Sequence, residues 1–171
     1  MNTKSFLTVV LIGIFTMSFG QQSASWDKWS WLIGEWVGEG NGQPGQGGGT
    51  LSFHHDLDQK ILVRKSHTEF PASGNKPPVI HNDLLIIYPD YSGNPAKAIY
   101  FDNEGHTINY FITYADQSIV FTSTKIQNMP IFRLTYTLLN RDCVNTKFEF
   151  SQDGEKFATY IEGKSKKTSI P

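Results

Sequence analysis

From about residue 35 to the carboxyl end, apolar and polar side chains alternate with a period of two, and short polar turns interrupt the alternation roughly every ten residues. Successive side chains on a strand point to opposite faces, so this pattern specifies strands with one face buried and excludes a helical core. Segments rich in Val, Ile, Phe, Tyr and Thr predict strands at about 35–40, 49–56, 60–70, 80–88, 97–103, 106–114, 118–126, 131–139, 144–151 and 156–165. Asn103-Glu104-Gly105, Ala115-Asp116-Gln117, Gln127-Asn128-Met129-Pro130 and Gln152-Asp153-Gly154-Glu155 supply hairpin chemistry between them. About ten strands in meander order would leave two long unpaired edges, so an all-β, antiparallel up-and-down barrel is expected rather than an open sheet.

The counts close off other classes. With 171 residues the chain forms one domain of ordinary size with a core of its own. A single cysteine, Cys143, permits no internal disulfide and no thiolate metal cluster; with no base beside it in sequence, it reads as buried and inert. A formal charge of −1 provides no field for collecting phosphates, so nucleic acid is not an expected partner.

The first 20 residues carry Lys4, then the apolar run Phe6 to Phe15, then Ser18 and Gly20 at the small-residue positions of a cleavage site. This is the pattern of a secretory signal peptide cut after Gly20. The apolar run falls short of the roughly 20 residues a membrane span requires, so no stable membrane anchor is expected. Cleavage removes Lys4 and leaves 21–171 as a single barrel domain of 151 residues, with 14 basic and 16 acidic side chains and a net charge of −2. The expected location is the periplasm or outside the cell, as a monomer or homodimer.

Alternation also assigns faces. Val144, Thr146, Phe148 and Phe150 share one side against a solvated Asn145, Lys147 and Glu149. Ile108, Tyr110, Ile112 and Tyr114 oppose Thr107, Asn109, Phe111 and Thr113, and Phe132, Leu134, Tyr136 and Leu138 oppose Ile131, Arg133, Thr135 and Thr137. Wide apolar faces bearing tyrosine hydroxyls suit either a plain core or a cavity with polar anchors, and a barrel of this strand number has interior volume to spare.

All four tryptophans, Trp26, Trp29, Trp31 and Trp36, fall within eleven residues. Ser25 is placed to cap a short amino-terminal helix through Trp29 ending at Gly34, and the indoles are expected to close one end of the barrel.

The run Trp31-Leu32-Ile33-Gly34-Glu35-Trp36-Val37-Gly38-Glu39-Gly40 after a short helix resembles the opening of calycin-type barrels, the lipocalins and fatty-acid-binding proteins, and especially the nitrobindin-type haem-binding barrels. Residues 61–67, 80–90, 100–106, 132–137 and 159–163 resemble a group of uncharacterised secreted bacterial lipocalin-like proteins. The resemblance implies a lipocalin-like barrel and speaks to fold more than to activity. Nitrobindins hold haem iron through a histidine late in the chain, whereas His54, His55, His67, His81 and His106 all lie in the first two thirds here. The late strands offer Tyr160, Met129 and Cys143 in its place, so no cofactor is predicted and a haem-binding barrel stands as the least favoured reading.

Other motifs fail. Gly40-x-Gly42-x-x-Gly45 matches a dinucleotide fingerprint, but Pro44 interrupts it and no helix pattern follows; it reads as a flexible loop at the barrel mouth. His54 and His55 are adjacent on a strand and point apart, so with Asp58 they make no shared metal site.

A polar constellation remains: Arg64 and His67, His81 and Asp83, Tyr100 and Asp102, Arg133, and Tyr160 with Glu162. Strict alternation sends Arg64 and His67 to opposite faces. Two functions fit. One is a binding protein for a small, mostly apolar or anionic molecule, with Trp36, Arg64, His81, Tyr100, Arg133 and Tyr160 as ligand-binding residues. The other is an enzyme on the same barrel, with His67 or His81 as general base and Asp83 or Asp102 orienting it.

Overall fold

The computed structural model describes residues 25–40, 48–72, 74–75 and 77–168. The expected signal segment and most of the glycine-rich mouth loop lie outside the described residues. A single 3₁₀ turn, Asp27–Trp29, precedes ten strands: β1 (Gly34–Gly38), β2 (Gly48–Asp56), β3 (Ile61–Phe70), β4 (Val79–Pro89), β5 (Pro95–Asp102), β6 (Thr107–Ala115), β7 (Ser118–Ser123), β8 (Ile131–Asn140), β9 (Cys143–Ser151) and β10 (Ala158–Lys167). Each strand pairs antiparallel with its sequence neighbours, and β1 pairs with β10 through Trp36, Val37 and Gly38 to close the barrel. The meander expected from the period-two pattern is therefore present and closed.

The expected amino-terminal helix shrinks to that one turn. Its cap position is Trp26, without a side-chain cap, and the Ser25 hydroxyl bonds the Asp27 carboxylate rather than a backbone N–H. Among the described residues no helix is long and apolar enough to cross a membrane.

The two ends of the barrel differ. The turns after β2, β4, β6 and β8 gather at one end, and the Trp26–Trp36 segment plugs it. Trp29, Leu32 and Trp36 are fully buried against Phe53, Phe121 and Tyr136, and the indole N–H of Trp36 donates to Leu32 O at 2.8 Å. Trp26 Nε1 donates to Gln59 O at 2.8 Å, holding the β2–β3 turn, in which Leu57, Asp58 and Gln59 take left-handed φ values of 47°, 52° and 62°. Three successive non-glycine residues in that region are strained, so the tryptophan bond stabilises a turn that sequence alone does not favour. Cys143 is buried at the start of β9 near this end.

Inward faces follow the alternation. Ile108, Tyr110, Ile112 and Tyr114 point in and Thr107, Asn109, Phe111 and Thr113 are exposed. One solvated face needs correction: Glu149 is 5% exposed, because Arg133 Nε (2.8 Å) and Lys147 Nζ (3.1 Å) fold over it on the outside of the barrel. Long basic stems cover a carboxylate that alternation alone would leave in water.

Candidate functional site

Above the plug the barrel is not filled. A cavity of about 1850 Å³ opens at the end away from the plug, with Gly40, Ala72, Glu104, Met129 and Tyr160 among its lining residues. In a ten-stranded ring β3, β4 and β5 stand opposite β8, β9 and β10. The first group brings Arg64, His81, Asp83, Tyr100 and Asp102 to the cavity, and the second brings Phe132, Leu134, Phe148 and Tyr160. One wall is polar and the facing wall is apolar and aromatic; the rings of Phe132 and Phe148 lie nearly parallel, 5.7 Å between centroids.

The polar wall is one connected network. Arg64 Nη2 donates to Asp83 Oδ1, with both side chains almost completely buried (6% and 7% exposed). His81 Nε2 lies 3.0 Å from the Tyr100 hydroxyl and 3.5 Å from Asp83 Oδ2, and its Nδ1 lies 3.1 Å from Glu104 Oε1. The hydrogen bond to Asp83 outweighs burial and, with Glu104, pushes the His81 pKa up to about 9. His81 is thus an imidazolium at neutral pH, both N–H groups donating, and the Tyr100 hydroxyl passes the chain on to Asp102 Oδ2 at 3.2 Å. Burial works to raise the Asp102 carboxyl, but the backbone N–H and ring of His106 and the N–H of Glu104 hold it below the usual carboxylate range. Asp102 thereby fixes the β5–β6 hairpin, where Gly105 adopts φ +91°.

At the cavity floor three tyrosines surround the Arg64 guanidinium. Tyr100 lies beneath it at 6.0 Å, and Tyr110 and Tyr136 are close enough for its charge to oppose the rise that burial imposes on their phenols. Tyr136 is fully buried, its pKa pushed up to about 12 mainly by desolvation. Among the described residues the Tyr136 hydroxyl and Arg64 Nε have no well-aligned hydrogen-bond partner, although the guanidinium lies near enough to the phenol to counter the rise in its pKa, and Thr146 Oγ1 on the neighbouring strand has none either.

The residues singled out in the sequence separate cleanly. Arg64, His81, Asp83, Tyr100 and Asp102 converge on one wall. Tyr160 sits at the rim, 67% exposed, edge-on to Phe148. His67 faces outward and bonds Asn82 (2.7 Å) and Glu69 (3.0 Å), which raise its pKa. Arg133 also faces outward, on Glu149 and over the Phe157 ring at 3.8 Å, so it does not reach the cavity. Trp36 belongs to the packed layer below the cavity rather than to its lining. Tyr110, Tyr136 and Phe148 join the site although the polar pattern did not mark them, since their one signal was membership of an apolar face.

Among the described residues no group of three or more His, Cys, Asp or Glu is arranged to hold a metal ion. Within the cavity His81 has both ring nitrogens engaged, Cys143 is not among the lining residues, Tyr160 lies at the exposed rim, and His106 and Met129 also line the wall.

The fold and site define a closed ten-stranded antiparallel barrel with one plugged end and an open, two-sided cavity. No protein-family model matches the chain, and no curated protein matches it. Among solved structures the chain is similar to Rv2717c from M. tuberculosis, with a TM-score of 0.55 and 11% identity over 84% of this chain and 97% of that one. At that identity the likeness establishes the barrel fold.

Proposed function

We propose that the chain is a secreted or periplasmic binding protein that holds a small, mostly apolar molecule in the barrel cavity. The observation that carries this reading is the unfilled interior itself: about 1850 Å³, sealed at one end by tryptophan and open at the other. Concave, largely apolar sites with a few convergent polar groups are the usual form of small-molecule pockets. The export pattern of the first 20 residues supports a location outside the cytoplasm. The enzyme reading has less support. His67 is on the outer surface, and His81, held as a cation between Asp83 and Glu104, lacks at neutral pH the lone pair a general base needs. Native mass spectrometry of the protein isolated from its own compartment is expected to show a bound species lost on organic extraction. Absence of any adduct, together with failure to bind apolar fluorescent probes, would remove the carrier reading.

A further inference from the structure

An arginine inside such a cavity can face either a carboxylate or a carbonyl of a ligand. The carboxylate that faces Arg64 is the protein's own Asp83. A guanidinium has five N–H donors, and among the described residues the one hydrogen bond that Arg64 makes is to Asp83. Among the described residues Arg64 Nε and the Tyr136 hydroxyl are both buried without a well-aligned partner, the guanidinium close enough to act on the phenol's pKa, on strands that face each other across the floor. Nε–H is a donor only, and a phenol donates readily, so the atom that completes both is an acceptor.

Charge decides which acceptor. Arg64 is matched by Asp83, and His81 by Glu104. Asp102 adds a further carboxylate beyond Tyr100, with the exposed His106 against it, and Glu162 and Lys164 stand at the rim from β10. A ligand carboxylate at the floor would therefore be an extra anion in a site whose cations are already paired, and burying an uncompensated charge is strongly unfavourable. A neutral oxygen brings no such penalty.

Resting on the carrier reading above, we infer that the cavity floor is a subsite for a neutral acceptor oxygen, a ketone, ester or amide carbonyl, received by Arg64 and Tyr136, and that it selects against carboxylates. The body of such a ligand lies along Ile108, Phe132, Leu134 and Phe148 and points toward the mouth.

Three probes of one shape test this: 2-acetylnaphthalene, 2-naphthoate and 2-ethylnaphthalene, titrated into the full exported chain at neutral pH. The ketone is expected to bind at least about tenfold more tightly than the acid, and about five- to tenfold more tightly than the hydrocarbon. Tyr136→Phe is expected to erase most of the ketone's advantage over the hydrocarbon, because the variant can no longer donate to the ligand oxygen. Hydrocarbon binding with the acid equal to or tighter than the ketone overturns the inference and leaves the carrier reading standing. So does a ketone preference that Tyr136→Phe leaves intact. Failure of all three probes to bind removes both.

Discussion

The indole N–H of Trp29 donates to the hydroxyl of Tyr114 at 3.0 Å, and that hydroxyl in turn donates to Pro95 O at 2.6 Å. The bond ties the amino-terminal plug to the wall of the barrel 85 residues away. Trp29 is completely buried, with Trp26, Tyr114 and Phe121 packed edge-on around it. Removing a ring at such a site leaves a cavity the wall cannot close. Trp29→Ala is expected to lower the unfolding free energy by about 3–5 kcal/mol. Trp29→Phe retains much of the packing and loses the hydrogen bond, and should fall clearly short of that loss because Tyr114 keeps Pro95 as a partner. Urea unfolding of the two variants checks the order; equal losses would mean that the ring packing at the plug contributes little.

That plug also marks how far the sequence can be read. The tryptophan cluster and the period-two pattern placed all ten strands, and the edge argument closed the barrel. What alternation could not supply was the parity of each polar pair relative to the cavity. Arg64 and His67 had to part, but only the pairing of Arg64 with Leu85, which brings Asp83 diagonally alongside, decides that Arg64 turns in. The same limit hid Glu149, whose burial depends on which long side chains lie across it from β8 and from its own strand. The left-handed β2–β3 turn was illegible because its support, Trp26, is 33 residues distant.

The buried Arg64–Asp83 pair predicts strong non-additivity. Arg64→Met leaves Asp83 to His81 alone, and Asp83→Asn leaves a buried guanidinium unmatched; each is expected to destabilise by about 3–5 kcal/mol. Arg64→Met with Asp83→Leu removes both charges and should lose much less than the sum of the two singles. A double-mutant cycle by chemical denaturation measures this, and additive losses would show that the two side chains do not act as a pair.

Arg133 separates the cavity from the surface. It lies outside the barrel on Glu149 and Phe157, so Arg133→Ala is expected to leave the affinity of any cavity-bound probe unchanged within about twofold while lowering stability by about 1–2 kcal/mol. Paired titration and thermal unfolding read the two effects separately. A marked loss of affinity at unchanged stability would place Arg133 in the binding site.

Gly49 is expected to tolerate no side chain. A Cβ there would lie 2.0 Å from the carbonyl oxygen of His67 and 2.9 Å from Thr68 Cα, both backbone atoms of the neighbouring strand. Gly49→Ala must therefore push β2 away from β3 at the cavity mouth, at a loss of about 1–3 kcal/mol. Amide exchange should show the effect concentrated in the pairs joining Gly48 and Gly49 to Thr68 and Glu69. Uniform destabilisation without local fraying there would contradict the close approach.

His81 links the site to pH. Its folded pKa is about 9 against an ordinary 6.5, raised by the hydrogen bond to Asp83 and, after burial is set against it, by Glu104. A group that binds its proton more tightly when folded adds stability while it is protonated in both states. That contribution is fully present below about pH 6.5, where the unfolded histidine is also charged, and is lost as pH rises from there through 9. The stability of the wild-type chain should therefore decline across that window, and His81→Gln should flatten the decline. Asp83→Asn should bring the midpoint back toward neutrality, because Asp83 is the largest contributor to the shift. NMR titration of the His81 ring is the direct measurement: a midpoint near 6.5 in the folded protein would mean that the Asp83–His81–Tyr100 network does not hold the proton, and the alkaline loss of stability should then vanish with it.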